Sequence, residues 1–325
     1  MAQARGQARS APFPVCGGGG VGVLEMTLYR RMAPVIALAL LLGQSAWHCA
    51  WAEGPGGPAK KLARSACDHA AFRVAVDVGH TAESPGAPSA RGFWEYDFNL
   101  RLATLIKQKL LAAGFAKTVL LVTDGPARKS LFARVARANR SSADLFLSIH
   151  HDSVPDSFLE RWEYEGHEHG FSDRFKGHSI FFSNENVDPD ASLMFGQLLG
   201  DQLKARGLQY TPHYIEKFMG HRQRLLVDAK VGVYRYDQLI VLRTTQMPAV
   251  LLEAGSIINR AEEPVMNSPE RQSLIGAAVT DAVEGFCAIR RPRNPDRVAS
   301  PAGAAAKQTP SPDATAQPAN TATAR

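Results

Sequence analysis

Four short stretches of this sequence place metal-ligating or proton-moving side chains where an element ends or begins. They are Asp77-Val78-Gly79-His80, Arg91-Gly92-Phe93-Trp94-Glu95, Ser148-Ile149-His150-His151-Asp152 and Leu251-Leu252-Glu253-Ala254-Gly255. Three of them close apolar runs that read as strands. In an open α/β sheet, ligands gather beyond the carboxyl ends of the strands. Two imidazoles and a carboxylate from separate elements, meeting at such an edge, form a three-ligand set with coordination positions left open. That is the set expected of a catalytic zinc. His150 and His151 alternate across the pleat, so only one of them can face a metal. No Ser or Cys lies in the context a covalent nucleophile needs. Each residue also has a plainer reading. His80 reads as a turn residue, Glu95 as a first-turn acid complementing a helix dipole, and Glu253 as an ion-pair partner. Asp77 reads either as an acceptor for a ligand imidazole or as a strand-end acid bound to nearby backbone.

The elements that must bring these residues together follow from periodicity. Strands are expected at Phe72–Asp77, Thr118–Thr123, Asp144–Ile149, Ser179–Ser183, Leu239–Leu242 and Ala249–Leu252. Helical spacing marks Trp94–Ala113, Pro126–Asn139, a segment opened by Asp188-Pro189 and ended at Arg206-Gly207, and one opened by Ser268-Pro269 and running to about Phe286. Strands alternating with helices predict an α/β fold, a single domain with a mostly parallel twisted sheet of about six strands and helices on both faces. Two stretches break the rhythm, 154–177 and 208–227. Loops of that length in an α/β domain are lids, binding loops or disordered segments.

Taken in order, the motifs over residues 72–287 resemble the zinc-dependent N-acetylmuramoyl-L-alanine amidases. The resemblance rests on Asp77-Val78-Gly79-His80, Gly86-Ala87, Arg91 to Glu95, Arg134 with Ala138-Asn139, Ala143 to His150, Val241-Leu242-Arg243, Met247 to Gly255, and Asn259. It implies hydrolysis of the peptidoglycan amide between the muramoyl lactyl group and L-alanine. It also implies Zn2+ on His80, Glu95 and His150, with Glu253 as the catalytic carboxylate and His151 left as a rim or structural residue. The chain departs from the family pattern at Val78 and Thr81, at His151-Asp152 and at Gly255-Ser256, positions that bear on loop shape. Some members carry an insertion that donates a carboxylate to the zinc until a protein activator displaces it. On that pattern one of Glu160, Glu163, Glu165 or Glu168 in 154–177 would cap the metal; the alternatives are a substrate lid or a mobile acidic loop. Two other activities stay open, a different zinc hydrolase such as a carboxypeptidase-like enzyme, and an inactive wall-binding regulatory module.

A formal charge of +6 over 325 residues first suggests an anionic partner, but the charge is not on the core. Residues 1–52 carry +3, residues 290–325 carry +4, and the segment between them carries −1. Nucleic acid is therefore not expected as a partner. Arg30-Arg31, the apolar run 33–43 and Ala50-Trp51-Ala52 read as a signal peptide cut after Ala52, preceded by an over-extended start. The run is short for a membrane span, so no stable anchor is expected. The expected organisation is a leader at 1–52, a linker at 53–70, the catalytic domain at 71–289 with its insertion at 154–177, and a disordered basic tail at 290–325. A periplasmic location follows, in which Cys67 and Cys287 could join as a disulfide or remain as two buried thiols.

Overall fold

A computed structural model describes residues 67–290. The expected leader, most of the expected linker and the tail beyond Arg290 lie outside the described residues. In chain order the elements are β1 (Val74–Val78), α1 (Glu95–Ala112), β2 (Val119–Leu121), α2 (Ala127–Arg140), β3 (Leu145–Asp152), β4 (Glu160–Tyr164), β5 (His167–Phe171), β6 (Ser179–Phe182) and α3 (Pro189–Ala205). They continue with β7 (Leu225–Asp228), β8 (Val233–Arg235), α4 (Ile240–Arg243), β9 (Ala249–Ser256), α5 (Glu263–Met266) and α6 (Pro269–Ile289). Seven strands form one sheet in the order β2-β1-β3-β9-β6-β8-β7. The first four run parallel. β6 is antiparallel to β9 and parallel to β8, and β7 closes the edge antiparallel to β8.

The central strands are nearly continuous apolar runs because both faces of the sheet are covered. On one face Val74, Val76 and Val78 of β1 and Leu145, Leu147 and Ile149 of β3 pack against Leu102 and Ile106 of α1, Phe195 of α3 and Val279 of α6. On the other face Ala75, Phe146 and Leu251 meet Val135 and Ala138 of α2 and Val241 and Leu242 of α4. Two helix starts are fixed by caps that satisfy otherwise orphaned amides. The Asp188 side chain accepts from Ala191 N at 3.2 Å, and Ser268 Oγ accepts from Arg271 N at 3.2 Å.

Three departures from the sequence reading have physical causes. Leu239–Leu242 is not a strand; it contributes to the single helical turn α4. A run of four apolar residues does not distinguish the two states, and both edges of β9 are already taken by β3 and β6. The sheet has seven strands rather than about six, because β7 and β8 come from a region with no clear alternation. Within 154–177, β4 and β5 form a separate antiparallel hairpin pairing Tyr164 with His167. Its two-residue turn, Glu165-Gly166, has φ of 52° and 77°, the positive pair that matches strand twist in tight hairpins.

Candidate metal centre and its cleft

The residues singled out from sequence meet at one place. His80 follows β1, Glu95 opens α1, His150 lies near the end of β3, and Glu253 stands opposite His150 in the β3–β9 register. The ligating atoms of His80, Glu95 and His150 all lie within 4.8 Å of one another. His80 Nε2 is 2.9 Å from Glu95 Oε2, and His150 Nδ1 is 2.9 Å from Glu95 Oε1. Glycines make the approach possible. A Cβ on Gly79 would sit 2.5 Å from the His150 ring, and one on Gly86 would strike Glu95 Oε2 and the His80 ring. His80 itself takes a left-handed backbone, φ 67°, which turns its ring back toward the others.

Electrostatics suit a cation. Burial alone would raise the Glu95 carboxyl, but hydrogen bonds and charge from His150 and His80 outweigh it and hold the group well below the usual carboxylate range. Burial lowers His150 to about 4, more than the neighbouring carboxylate can offset, so its imidazole is neutral near pH 7. A neutral imidazole is the form that binds a metal. Two imidazoles and one carboxylate, cradled by two glycines, could therefore hold a divalent ion with a coordination position facing the cleft.

Glu253 is not part of that trio. Its Oε2 is buried without a hydrogen-bond partner among the described residues, and the residue lines a cleft of about 840 Å3 together with the three candidate ligands. Burial, then the charges of Asp152 and Glu95, push its carboxyl well above the ordinary value, with Arg222 opposing. Asp152 is likewise raised by burial, to about 7, although Tyr214 Oη donates to its Oδ1 at 2.7 Å.

Other candidates go elsewhere. His151 turns into the interior, where Nδ1–H donates to Asn99 Oδ1 at 2.8 Å. The Asn99 amide orientation is fixed because its Nδ2 donates to Glu95 Oε1 at 3.1 Å and to Gly79 O at 3.2 Å. Among the described residues Asp77 binds no ligand imidazole and no backbone amide; Ser148 Oγ donates to it at 2.7 Å and Arg134 lies 3.5 Å away. Glu160, Glu163, Glu165 and Glu168 are exposed on the hairpin and do not belong to the ligating trio. Sequence reasoning missed Asn99, one helical turn after Glu95, a spacing that does place both on one face of α1. It also missed Tyr214, which only the fold brings to Asp152.

A family model described as N-acetylmuramoyl-L-alanine amidase matches residues 74–285. A putative N-acetylmuramoyl-L-alanine amidase of Buchnera aphidicola is 24% identical over 216 residues, covering 66% of this chain and 95% of its own length. An N-acetylmuramoyl-L-alanine amidase of Mycobacterium tuberculosis is 22% identical, covering 64% of this chain and 75% of its own. The crystal structure of the amidase Ami1 of Mycobacterium smegmatis shares the fold, with a TM-score of 0.51 at 20% identity over 68% of this chain and 99% of that one.

Proposed function

The chain belongs to the N-acetylmuramoyl-L-alanine amidase family, and from that premise we propose that it cleaves the lactyl–L-alanine amide of peptidoglycan with one zinc held by His80, Glu95 and His150. The observation that carries the reading is the convergence of these three side chains beside the unpartnered carboxylate of Glu253. Nitrogen and oxygen donors in a two-His, one-carboxylate set suit zinc. When bound, such an ion polarises a carbonyl and acidifies a water molecule. Glu253 takes the proton of the attacking water and returns it to the departing L-alanine amine, which an amide must protonate in order to leave. The environment that raises its carboxyl pKa helps it keep that proton until delivery. Asn99 holds Glu95 in place, and His151 in turn holds Asn99.

Export to the periplasm is part of the proposal. The leader at 1–52, the wall polymer as substrate and a Cys67–Cys287 disulfide all fit an oxidising compartment. The organisation read from sequence, a leader, a catalytic domain at 71–289 and a basic tail, is proposed with it. Among the described residues no helix is long and apolar enough to cross a membrane. The exposed carboxylates of the hairpin support reading 154–177 as a wall of the cleft rather than as a plug that an activator removes.

The test is product analysis on purified sacculi. Intact stem peptides bearing a free L-alanine amine are expected, with release abolished by chelator and restored by zinc. Release of single amino acids instead would favour a carboxypeptidase-like enzyme.

A further inference from the structure

The two stretches that broke the strand–helix rhythm of the sequence line the same cleft. Leu159, Arg161 and Gly170 line it from the β4–β5 hairpin and the residue before it, and Tyr214, Arg222 and Arg224 line it from the segment before β7. None of the three arginines is in an ion pair among the described residues, and Arg161 and Arg222 are exposed. Arg224 is preorganised: its guanidinium lies 3.6 Å over the Tyr236 ring, and its NH1 donates to His221 O at 2.7 Å and Gln223 O at 2.8 Å. Its Nε is buried with no hydrogen-bond partner among the described residues. Of the four carboxylates that line the cleft, Glu95 is engaged by two imidazoles and Asp152 by Tyr214, Glu253 Oε2 has no hydrogen-bond partner among the described residues, and Asp156 is exposed. Three guanidinium groups free of ion pairs in one cleft, on a central segment of charge −1, are a local device rather than an overflow of whole-chain charge.

We infer that Arg161, Arg222 and Arg224 recognise free carboxylates on the peptide side of the scissile amide, so that the preferred substrate is an acidic stem peptide. This rests on the amidase reading. Of the two sides of that bond, the peptide is the one that carries carboxylates, whereas the N-acetylated sugar is neutral. Guanidinium groups bind carboxylates through paired, charge-assisted hydrogen bonds. A stacked arginine such as Arg224 gives up less freedom on binding than an unsupported one.

The zinc-loaded enzyme would be given two muramoyl peptides that differ only in whether the stem carboxylates are free or amidated. The wild type is expected to favour the acidic peptide by about tenfold in kcat/KM, chiefly through KM, the size of one good charge-assisted contact. In Arg222→Gln/Arg224→Gln that ratio falls toward one, and Arg222→Lys keeps part of it. Arg161→Gln/Arg222→Gln changes only exposed side chains, so it gives the same readout should loss of the Arg224 stack impair folding. Equal kcat/KM on the two peptides for the wild type, or a wild-type ratio in both double variants, overturns the inference. If neither peptide releases an L-alanine amine, hydrolysis as proposed has failed, and titration of zinc-loaded Glu253→Gln with the two peptides decides the subsite by itself. Tighter binding of the acidic peptide then supports it, and equal binding overturns it.

Discussion

The side chains at the centre divide their work by environment. Glu95 and Glu253 are both carboxylates within one cleft, yet their acidities are driven apart: two imidazoles draw Glu95 down, while burial and two nearby carboxylates drive Glu253 up. A carboxylate held low stays charged and suits a cation; one held high keeps a proton it has accepted more firmly until it is passed on. Glu253→Gln is therefore expected to lower kcat by roughly 10²–10⁴-fold, the usual contribution of general acid–base catalysis, while metal content and melting temperature stay near wild type. A variant turning over at the wild-type rate would remove Glu253 from the chemistry. The neighbouring Asp152 offers a pH test. Its negative charge helps keep the Glu253 carboxyl protonated, so Asp152→Asn lets Glu253 ionise at lower pH. The acidic limb of the kcat profile should then move to lower pH; a limb that stays put or moves upward contradicts the assignment.

Elements decide how precisely those side chains meet, and here sequence and structure part at identifiable places. The existence of β1, β3 and β9 was legible because two-face burial makes long apolar runs, interrupted by polar side chains at His150 and Glu253. However, β3 and β9 run on to Asp152 and Ser256, past the ends that the runs suggest. The lateral order of the sheet was not legible, since nothing in Ser179–Phe182 says that β6 joins β9 antiparallel. Leu239–Leu242 was too short to carry a period, and its place in the fold depends on strands elsewhere. Tyr214 and Arg222 lie in short 3-10 turns and Arg224 in the chain just before β7, where types are readable but destinations are not. The loop between β1 and α1 shows a further kind of constraint. Gly86, with φ 82°, gives its missing Cβ position to Glu95 and His80, whereas Gly125, with φ 86°, has nothing within 4 Å of that position. Both would be strained as alanine by the same backbone cost, about 1 kcal/mol. Only Gly86→Ala should also weaken zinc binding, by about 10–100-fold in a competition titration, the range seen when a ligand's supporting contacts are disturbed. Equal losses in Gly86→Ala and Gly125→Ala would mean that strain, not the ligand cradle, is what the position supplies.

Across the whole molecule, the site lies beyond the end of β1 while the two ends of the described chain are tied beside its start. Cys67 and Cys287 are bonded across a separation of 220 residues. His69 reinforces the tie: Nδ1–H donates to Ala113 O at 2.8 Å, Nε2 lies 2.6 Å from Glu284, and the ring stacks on Phe115 at 4.6 Å. The bond thus fastens the entry to the first strand onto α6, the helix that covers one face of the sheet. Closing so long a loop chiefly restricts the unfolded chain, and losing such a bond costs roughly 2–5 kcal/mol. For a domain of this size each kcal/mol shifts the melting temperature by about 2–4 °C. Reduction, or Cys67→Ala/Cys287→Ala, should therefore lower the melting temperature by roughly 4–20 °C. Turnover on sacculi at 25 °C should be unchanged, since none of the four central side chains touches the bond. Loss of turnover without loss of stability would mean that the tie positions the site; loss of neither would mean that packing of Phe72 against Phe286 already fixes the two ends.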